Sequence, residues 1–437
     1  MIDVLYGAAW ALARPFAALA PGTGKLGRAL RGRFGAAAVL SAWSRSHRTS
    51  APLVWFHAAS VGEGRQAEAV LARVRALRPD WQIACTHASA SAERLARSLP
   101  ADVAGYLPAD TPRDVALALD ALRPAALVFA ATDLWPVLIA AAARRGVGLG
   151  LVSGTLAPTS SRRGALAKRL LRPAYQALDR VGAIDQPDAD GLAALGVARE
   201  RLAITGDTRH DSAAARAAAL DRAAPHLRAL AAPGPPIVVA GSTWDADEAV
   251  MHDALPRLWP ATPIRLVVAP HEPTEPRLRE IEAFAGPANL DPRVVRLSAL
   301  EAAARGGPPA PWDVCVVDRV GVLADLYALA HVAFVGGGFH RKGLHSVIEP
   351  AALGIPVLFG PEWRSSRDAR LLLDAGAARA VENGIELARA IGGWLASDSA
   401  HASAGRAARA VVEKGLGAAE RSAQLVIELV ETSGLRA

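Results

Sequence analysis

Cysteine is scarce in this sequence, which excludes proteins held together by disulfides and proteins with a cysteine-based metal site. With two cysteines in 437 residues, Cys85 and Cys315, the chain can build neither a disulfide framework nor a cysteine-based metal site. Each cysteine lies inside an apolar, strand-like run. We therefore expect two buried free thiols and a reducing compartment.

The sequence also lacks an internal repeat and a low-complexity tail, and its composition is that of a globular protein. Hydrophobic residues make up 51% and charged residues 21%, which indicates a large core and excludes a disordered chain. Because 437 residues exceed one ordinary core, two domains of roughly 200 residues each are expected. An excess of 49 basic over 42 acidic residues favours an anionic partner: a membrane surface, a phosphorylated substrate or nucleic acid.

The N-terminal segment does not have the order of features that a secretory signal has. Its apolar stretch, Val4 to Ala20, is interrupted by Arg14 and is followed by basic residues over 25–33. The stretch is short for crossing a bilayer. It is compatible with a helix on the membrane surface and with a single crossing, and in both cases we expect the basic flank on the cytoplasmic side. A helix packed on the N-terminal domain is the alternative. We predict a membrane-associated helix and basic flank over residues 1–34.

Short apolar runs alternate with alanine-rich helical stretches along the rest of the chain. This alternation predicts an α/β fold with doubly wound parallel sheets. Strands are predicted at 53–56, 81–86, 126–130, 148–152 and 181–184, and then at 237–240, 265–269, 294–297, 314–317, 332–335 and 356–359. Two such domains in tandem, Rossmann-like and facing a cleft, describe the GT-B architecture of many nucleotide-sugar transferases. The predicted domains are 35–215 and 216–415, followed by a C-terminal helix at 416–437.

Residues 55–64, which read Trp-Phe-His-Ala-Ala-Ser-Val-Gly-Glu-Gly, are the most informative stretch. They predict a buried strand, a sharp turn and the start of a helix, so Glu63 falls at a strand-to-helix junction, where open α/β sheets bind ligands. The helix dipole favours an ionised carboxylate there, which suits a general base or a ligand-binding group. A helix-capping carboxylate without chemistry is the alternative, and this stretch alone leaves both interpretations open.

Further motifs lie where other predicted strands end. Asp133, in Thr132–Pro136, adds a second carboxylate, and Arg209, in Gly206–Asp211, adds a cation. Gly241–Thr243 is a candidate anion-binding turn. The second half adds Pro270–Pro273, Asp318–Gly321, Gly336–Phe339 and Gly343–Pro350. Their joint position at the carboxyl ends of strands in both halves predicts a cleft enzyme. Two Asp-x-Asp strings, 188/190 and 245/247, are interpreted as helix caps and not as metal sites.

In this order the motifs resemble those of the 3-deoxy-D-manno-oct-2-ulosonic acid (Kdo) transferases of lipopolysaccharide synthesis. His57–Glu63 resembles the family's nucleophile-activating loop, Thr132–Pro136 its acidic Leu-Trp-Pro motif, and Gly206–Asp211 its Gly-Asn/Asp-x-Lys/Arg-x-Asp motif. Resemblance to the parts that hold the donor's cytidine monophosphate (CMP) implies the following contacts: Ser242, Thr243, Pro270, His271, Val320, Gly321, Val322, Ser346, Val347, Ile348 and Glu349.

The resemblance implies that Glu63 is the general base and that Asp133 and Arg209 stabilise the transition state. The implied enzyme is an inverting glycosyltransferase that moves Kdo from CMP-Kdo to a lipid A precursor of the lipid IVA type. By the same resemblance, residues 35–215 bind the acceptor, residues 216–415 bind the nucleotide sugar, and the catalytic domains lie on the cytoplasmic side of the inner membrane. Neither a metal nor another cofactor is expected.

The sequence departs from the family pattern at four places. Asp133 stands where many members have glutamate, and Arg209 replaces a frequent lysine, whose donor geometry differs. Residues 152–155 lack the Asn-Ala-Arg of many members, and Ser346 stands where asparagine is common. The last two departures bear on acceptor recognition and nucleotide contacts.

Two other functions stay open at this point. One is a GT-B transferase that uses a UDP-sugar on a glycolipid, against which the order of the motifs speaks. The other is a non-enzymatic basic protein bound to membranes. Nucleic acid is not expected as a partner, because the sequence contains no helix-turn-helix, zinc-finger or aromatic RNA-binding pattern.

Overall fold

A computed structural model of the protein describes residues 10, 24–157, 160–284, 292–307, 311–340 and 343–434. The chain divides into two compact units. Unit 1 comprises Met1–Ser212 and Gly415–Ala437, and unit 2 comprises Ala213–Lys414. Each unit contains one seven-stranded parallel sheet, as the alternating pattern predicted.

The sheet of unit 1 has the strand order β3-β2-β1-β4-β5-β6-β7. Its strands are β1 (Leu53–His57), β2 (Gln82–His87), β3 (Val103–Tyr106), β4 (Ala126–Ala130), β5 (Gly148–Gly154), β6 (Arg180–Ala183) and β7 (Leu202–Ile204). The order reverses direction between β1 and β4, as in doubly wound folds that bind ligands at this switch point.

Helices connect these strands and cover both faces of the sheet. They are α1 (Lys25–His47), α2 (Val61–Leu77), α3 (Glu93–Ala96), α4 (Pro112–Leu122), α5 (Pro136–Ala143), α6 (Ala165–Gln176), α7 (Gln186–Leu195) and α8 (Thr208–Ala218), with 3-10 turns at Ala90–Ala92, Ser161–Arg163 and Arg199–Arg201. Helix α8 runs across the boundary into unit 2. Several helices begin at a side chain that accepts a backbone N–H bond, among them Ser60, Thr111 and Asp185.

The sheet of unit 2 has the strand order β10-β11-β9-β8-β12-β13-β14. Its strands are β8 (Ile237–Thr243), β9 (Arg265–Pro270), β10 (Val294–Arg296), β11 (Val314–Val316), β12 (Val332–Val335), β13 (Val357–Phe359) and β14 (Ala378–Ala380). The order reverses between β8 and β12, which is the switch point of this unit.

The helices of unit 2 follow the same alternation with the strands. They are α9 (Pro225–Arg228), α10 (Asp245–Leu258), α11 (Glu275–Phe284), α12 (Leu297–Gly306), α13 (Leu323–Leu326), α14 (Ile348–Ala352), α15 (Arg367–Asp374), α16 (Gly384–Leu395) and α17 (Asp398–Lys414), with a 3-10 turn at Tyr327–Leu329. The last helix of the chain, α18 (Ala418–Gly434), belongs to unit 1.

The central strands of each sheet are buried on both faces, so β1, β4 and β12 are buried along their whole length. In β1, Trp55 faces one core of unit 1 and Phe56 faces the other. Helix α18 contributes Val426 and its neighbours to the second core. It lies so close to β5 that a Cβ atom at Gly148 would be 2.2 Å from the Ser433 hydroxyl, and one at Gly150 would be 2.9 Å from Leu429. Both cysteines are buried and free, as predicted.

Three strands were missed by the sequence patterns: β3, β7 and β14. All three lie at sheet edges, where part of the strand is exposed and the apolar run is short. Of the predicted membrane-associated segment, residues 1–34, the structure describes Trp10 and residues 24–34, and the rest lies outside the described residues. Residues 25–34 begin helix α1, and Arg33 of the predicted basic flank is buried, where it donates to the carbonyls of Leu107 and Pro108. In the part of the chain that the structure describes, no helix combines the length and the apolar character needed to cross a membrane.

Candidate active site

Glu63 lies just beyond the end of β1, at the switch point of unit 1. It is the third residue of α2, and its carboxylate Oε2 accepts a hydrogen bond from the Ser60 amide at 3.0 Å, while the Ser60 hydroxyl accepts one from the Glu63 amide. Glu63 is therefore part of a capping box. Burial and the negative charge of Asp133 raise the pKa of Glu63 to about 7, which keeps a proton acceptor available near neutral pH.

Asp133 lies on the loop that follows β4, the strand next to β1. The loop turns through Ala131, whose φ of 58° is left-handed. The hydroxyl of the buried Tyr175 donates to the carbonyl of Thr132 at 3.3 Å. The carboxylate of Asp133 itself forms an ion pair with Arg162. The ends of the neighbouring strands β1 and β4 thus place Asp133 close enough for its charge to act on the Glu63 carboxyl.

A buried histidine joins the two loops. The indole N–H of Trp135 donates to Nε2 of His57 at 2.9 Å, and Nδ1 of His57 is 3.0 Å from the carbonyl of Thr86. Burial and the positive charge of Arg33 lower the pKa of His57 to about 3, so the ring is neutral and Nδ1–H donates to Thr86. His57 therefore fixes the relative position of the β1 and β4 ends instead of exchanging protons. On the other side of Trp135, Arg33 stacks between its ring and that of Trp10.

Arg209 lies in the first turn of α8, after the end of β7. Its guanidinium is paired with the buried carboxylate of Asp207, whose pKa is lowered by that cation. The Thr208 hydroxyl donates to the carbonyl of Gln66 at 2.7 Å and lies 2.8 Å from the Ser153 hydroxyl. Because Gln66 is one turn beyond Glu63 on α2, this segment lies against the helix that carries Glu63.

In unit 2 the switch point is built from glycine backbone. A Cβ atom at Gly336, after β12, would lie 2.4 Å from the carbonyl oxygen of Ser242, and one at Gly338 would lie 2.4 Å from the amide of Gly360. Ser242 itself is left-handed, with a φ of 56°. Side chains could not fit at these contacts, so the sequence must be glycine where the two strand ends meet.

Buried Asp247 holds this glycine turn. Its carboxylate accepts from the amides of Trp244, Gly337 and Phe339 at 2.9, 2.8 and 3.3 Å. Burial raises its pKa, and the three amides act in the opposite direction. The interpretation of Asp247 as a helix cap is therefore right but incomplete, because the same side chain also fixes the turn after β12.

Aromatic rings stack beside the turn. Trp244 stacks on His271, 4.7 Å between centroids, and on His340, 5.1 Å, and His271 stacks on His345, 4.5 Å. The Trp244 indole N–H donates to Nε2 of His345 at 3.0 Å. Burial and the proximity of His271 lower the pKa of His345 to about 4, so this ring is a neutral acceptor.

The other residues predicted to contact the nucleotide differ in whether their side chains or only their backbone could reach a ligand. Val320 is exposed and Gly321 is left-handed with a φ of 95°. Val347 and Ile348 are buried in the core, so they can meet a ligand only through their backbone. Glu349, on α14, pairs with Arg216, 3.0 Å between Oε1 and Nη2. The remaining predicted residues stand at strand ends or near a helix start: Thr243, Pro270, Val322 and Ser346.

Comparison with known proteins identifies the family. Residues 28–212 match the family described as 3-deoxy-D-manno-octulosonic-acid transferase (kdotransferase). A 3-deoxy-D-manno-octulosonic acid transferase of Bordetella pertussis is 31% identical over 350 residues, which cover 76% of this chain and 77% of the relative. The chain belongs to the Kdo transferase family. The transferase of Haemophilus influenzae is 26% identical over 86% of this chain and 87% of its own.

Solved structures show the fold of this Kdo transferase. The UDP-GlcNAc 2-epimerase of Neisseria meningitidis superposes with a TM-score of 0.59 and 13% identity, over 87% of this chain and 99% of the epimerase. A likeness at such low identity concerns the fold alone, and that fold is GT-B-like, with two doubly wound parallel sheets. The chain is thus an α/β enzyme of the Kdo transferase family.

Several site features of this Kdo transferase escaped the sequence analysis. Arg162 faces Asp133, Trp135 bonds to His57, and Asp247 reaches the turn after β12; each pair is distant in sequence, and only strand order brings its members together. Among the residues that the structure describes, no group of three or more histidine, cysteine, aspartate or glutamate side chains is arranged to hold a metal ion.

Proposed function

We propose that this Kdo transferase moves Kdo from CMP-Kdo to a lipid A precursor of the lipid IVA type, in lipopolysaccharide core biosynthesis, with inversion at the anomeric carbon. The observation that carries the proposal is Glu63 at a switch point, next to a second carboxylate and with a pKa raised to about 7. Family membership supports the transferred sugar.

In the proposed reaction the Glu63 carboxylate takes the proton of a sugar hydroxyl on the acceptor. The hydroxyl oxygen then forms a bond to the anomeric carbon of Kdo, and the bond from that carbon to the CMP phosphate oxygen breaks, so the electron pair leaves with CMP. Attack from the face opposite CMP inverts the anomeric centre. A base with a pKa near 7 combines a substantial ionised fraction with proton affinity at neutral pH.

Asp133, whose charge acts on Glu63, and Arg209, on the segment that lies against α2, are given the other two proposed roles. Asp133 would stabilise positive charge developing on the sugar or orient the acceptor. Arg209 would balance the charge that grows on the phosphate, with Asp207 fixing the orientation of its guanidinium. The side chain of Arg209 is 34% exposed, so its guanidinium stays accessible to a ligand although it is paired with Asp207.

The donor is proposed to bind at the switch point of unit 2. The turns after β8 and β12 are fixed there by close backbone packing and by the carboxylate of Asp247, which accepts from the amides of Trp244, Gly337 and Phe339, so the proposed donor site is preformed. Glu349 is proposed to accept hydrogen bonds from the ribose hydroxyls. No metal is assigned a step, since Arg209 can supply the positive charge.

Residues 1–34 are proposed to attach the enzyme to the inner membrane, with both units on the cytoplasmic side. Deleting residues 1–21 should move the protein from the membrane fraction toward the soluble one, and salt-sensitive binding through the basic flank should persist because exposed charges are screened by salt. Full-length protein that stays soluble without detergent and ignores liposomes of anionic phospholipid would contradict the anchor.

The proposed activity can be tested directly by mass. Purified full-length protein is incubated with freshly generated CMP-Kdo and a tetraacyl lipid A precursor, and the product is identified by its mass. Addition of one or more Kdo units is the expected result, and the number added is read from the same spectrum. An unchanged acceptor with a family member active in parallel would contradict the proposed substrate pair, and transfer from a UDP-sugar instead would favour the alternative donor.

A further inference from the structure

A short turn carries a cation to the acidic loop of unit 1. The turn is the 3-10 segment Ser161–Arg163, which precedes α6. Arg163 fixes the turn to the preceding chain: its Nε donates to the carbonyl of Ala157 at 3.1 Å and its Nη2 to that of Leu156 at 3.0 Å. Leu156 is held in turn by the buried carboxylate of Asp188, at 2.8 Å from its amide. Arg162 therefore extends from an anchored backbone.

The guanidinium of Arg162 forms an ion pair with the carboxylate of Asp133. The two side chains are 33% and 42% exposed, so the pair is accessible from solvent and does not belong to the core. Tyr175, on the helix that follows the turn, donates to the carbonyl of Thr132. The loop that carries Asp133 is thus held at its backbone by a buried hydroxyl and at its carboxylate by a cation.

The charges of both members of this pair act on the carboxyl of Glu63. Burial and then the charge of Asp133 raise the pKa of the Glu63 carboxyl, and the amides of Ser60 and Ala59 and the charge of Arg162 lower it. Without the cation, the carboxylate of Asp133 would stand uncompensated near a second carboxyl that has to lose its proton, and like charges at close range oppose that loss.

We propose that Arg162 is a positioning residue for the transfer reaction: its guanidinium holds Asp133 in place and offsets its charge, which favours the ionised form of the Glu63 carboxyl. This inference rests on the proposed role of Glu63 as the general base. It adds to that role a residue that is outside every motif of the sequence analysis and acts through Asp133.

The pH dependence of single-turnover transfer tests the inference. Replacing the guanidinium in Arg162→Met should move the acidic limb of the profile to higher pH, because the cation that favours ionised Glu63 is gone. We expect a rate roughly tenfold lower at pH 6.5 and within about threefold of the unchanged enzyme at pH 9. Arg144→Met removes an exposed arginine of the same unit and should leave the profile unchanged. A uniform loss at every pH, or an unshifted limb, overturns the proposal.

Two further variants separate charge from shape. Arg162→Lys keeps the positive charge and should retain a limb close to that of the unchanged enzyme, with a lower plateau, because an ammonium cannot form the same paired contact. The double variant Asp133→Asn, Arg162→Met removes both charges. The acidic limb of its pH–rate profile should return toward the midpoint of the unchanged enzyme, even if its maximal rate is lower. If the double variant keeps the shifted limb of Arg162→Met, Arg162 does not act through Asp133 and the proposal is wrong.

Glu63→Gln distinguishes failure of this inference from failure of the proposed base. An active Glu63→Gln enzyme shows that the base is another group, and both proposals then fail. An inactive Glu63→Gln enzyme together with an unshifted Arg162→Met profile leaves the base in place and overturns only the role of Arg162. Melting temperatures of all variants, measured on the same preparations, exclude unfolding as the source of a lost rate.

Discussion

The two units place different chemistry at equivalent positions of their sheets. At the switch point of unit 1, the strand ends carry Glu63 and Asp133, side chains that are partly exposed and interact through charge. At the switch point of unit 2, the strand ends carry glycines whose backbones lie against neighbouring backbone, with the buried Asp247 bonded to their amides. The same fold thus supplies side-chain chemistry in one unit and a rigid backbone surface in the other.

This difference predicts how each region responds to substitution. In unit 1, a change that keeps shape and removes charge should spare stability and abolish function. In unit 2, a change that adds a single carbon should affect the fold and ligand binding together, since backbone cannot move aside as a flexible side chain does. The predictions below test this comparison, beginning with the largest effect.

Glu63→Gln should cause the largest loss of activity. The amide keeps the shape of the side chain and can still accept the Ser60 hydrogen bond, but it cannot take a proton. General-base catalysis contributes on the order of 10²–10⁴ in rate, so single-turnover transfer should fall by at least that range with little change in melting temperature. Because the pKa of Glu63 is raised to about 7, the rate of the unchanged enzyme should rise with pH through this region and then level off.

Ser60→Ala is the matched control for the capping role of Glu63. It removes the hydroxyl that accepts a hydrogen bond from the Glu63 amide. The loss should cost about 0.5–2 kcal/mol of stability, while most of the activity remains. A stable, inactive Glu63→Gln enzyme and a destabilised, active Ser60→Ala enzyme would separate the two roles of this junction. The reverse pattern would mean that Glu63 is only a cap, and Asp133 would be the next candidate for the base.

Gly336→Ala should have the largest effect in unit 2. The added Cβ would lie 2.4 Å from the Ser242 carbonyl oxygen and 2.7 Å from Cα of Thr243, so the turns after β8 and β12 would have to separate. We expect a loss of about 1–3 kcal/mol in the free energy of unfolding and loss of stabilisation by CMP in a thermal scan. Gly307→Ala adds the same carbon into open space of the same unit and should change neither.

The sequence predicts the central strands and the residues at their ends, because buried parallel strands leave long apolar runs. It does not predict β3, β7 or β14, which lie at sheet edges and are buried on fewer residues. The same limit applies to the site. Glu63 and Asp133 follow from local pattern and family resemblance, whereas the contact of Arg162 with Asp133 joins residues 29 apart and leaves no local signal.

Asp247→Asn should lower the stability of unit 2 over the same range as Gly336→Ala, without adding bulk at the turn. The carboxylate accepts hydrogen bonds from three backbone N–H groups. In asparagine one of the two oxygens becomes an NH₂ group, which cannot accept, so at least one of these N–H groups would lose its acceptor. A buried donor left without an acceptor costs about 1–3 kcal/mol, so the unfolding free energy should fall by this amount. Asp245→Asn, at a side chain 83% exposed on the same turn, should change stability by less than about 0.5 kcal/mol.

Glu349→Gln should have the smallest effect, on CMP binding. An amide oxygen accepts hydroxyl hydrogen bonds less strongly than a carboxylate, so stabilisation of unit 2 by CMP should weaken, with a loss of about 1 kcal/mol or roughly fivefold in affinity. The stabilisation should persist in EDTA, and UDP should not reproduce it. Equal effects of UDP and CMP, or loss in EDTA, would contradict the donor assignment.

Arg216→Met is the control that decides how Glu349 acts. It removes the ion pair that Glu349 makes and leaves the carboxylate in place. If Glu349 contacts the ribose, Arg216→Met should retain most of the CMP stabilisation that Glu349→Gln loses. Equal losses in the two variants would mean that the ion pair only supports α14, and that the glycine turn and the stacked rings beside it bind the nucleotide without Glu349. In that case unit 2 would recognise its ligand through backbone and aromatic surface alone, and the contrast with the carboxylates of unit 1 would be complete.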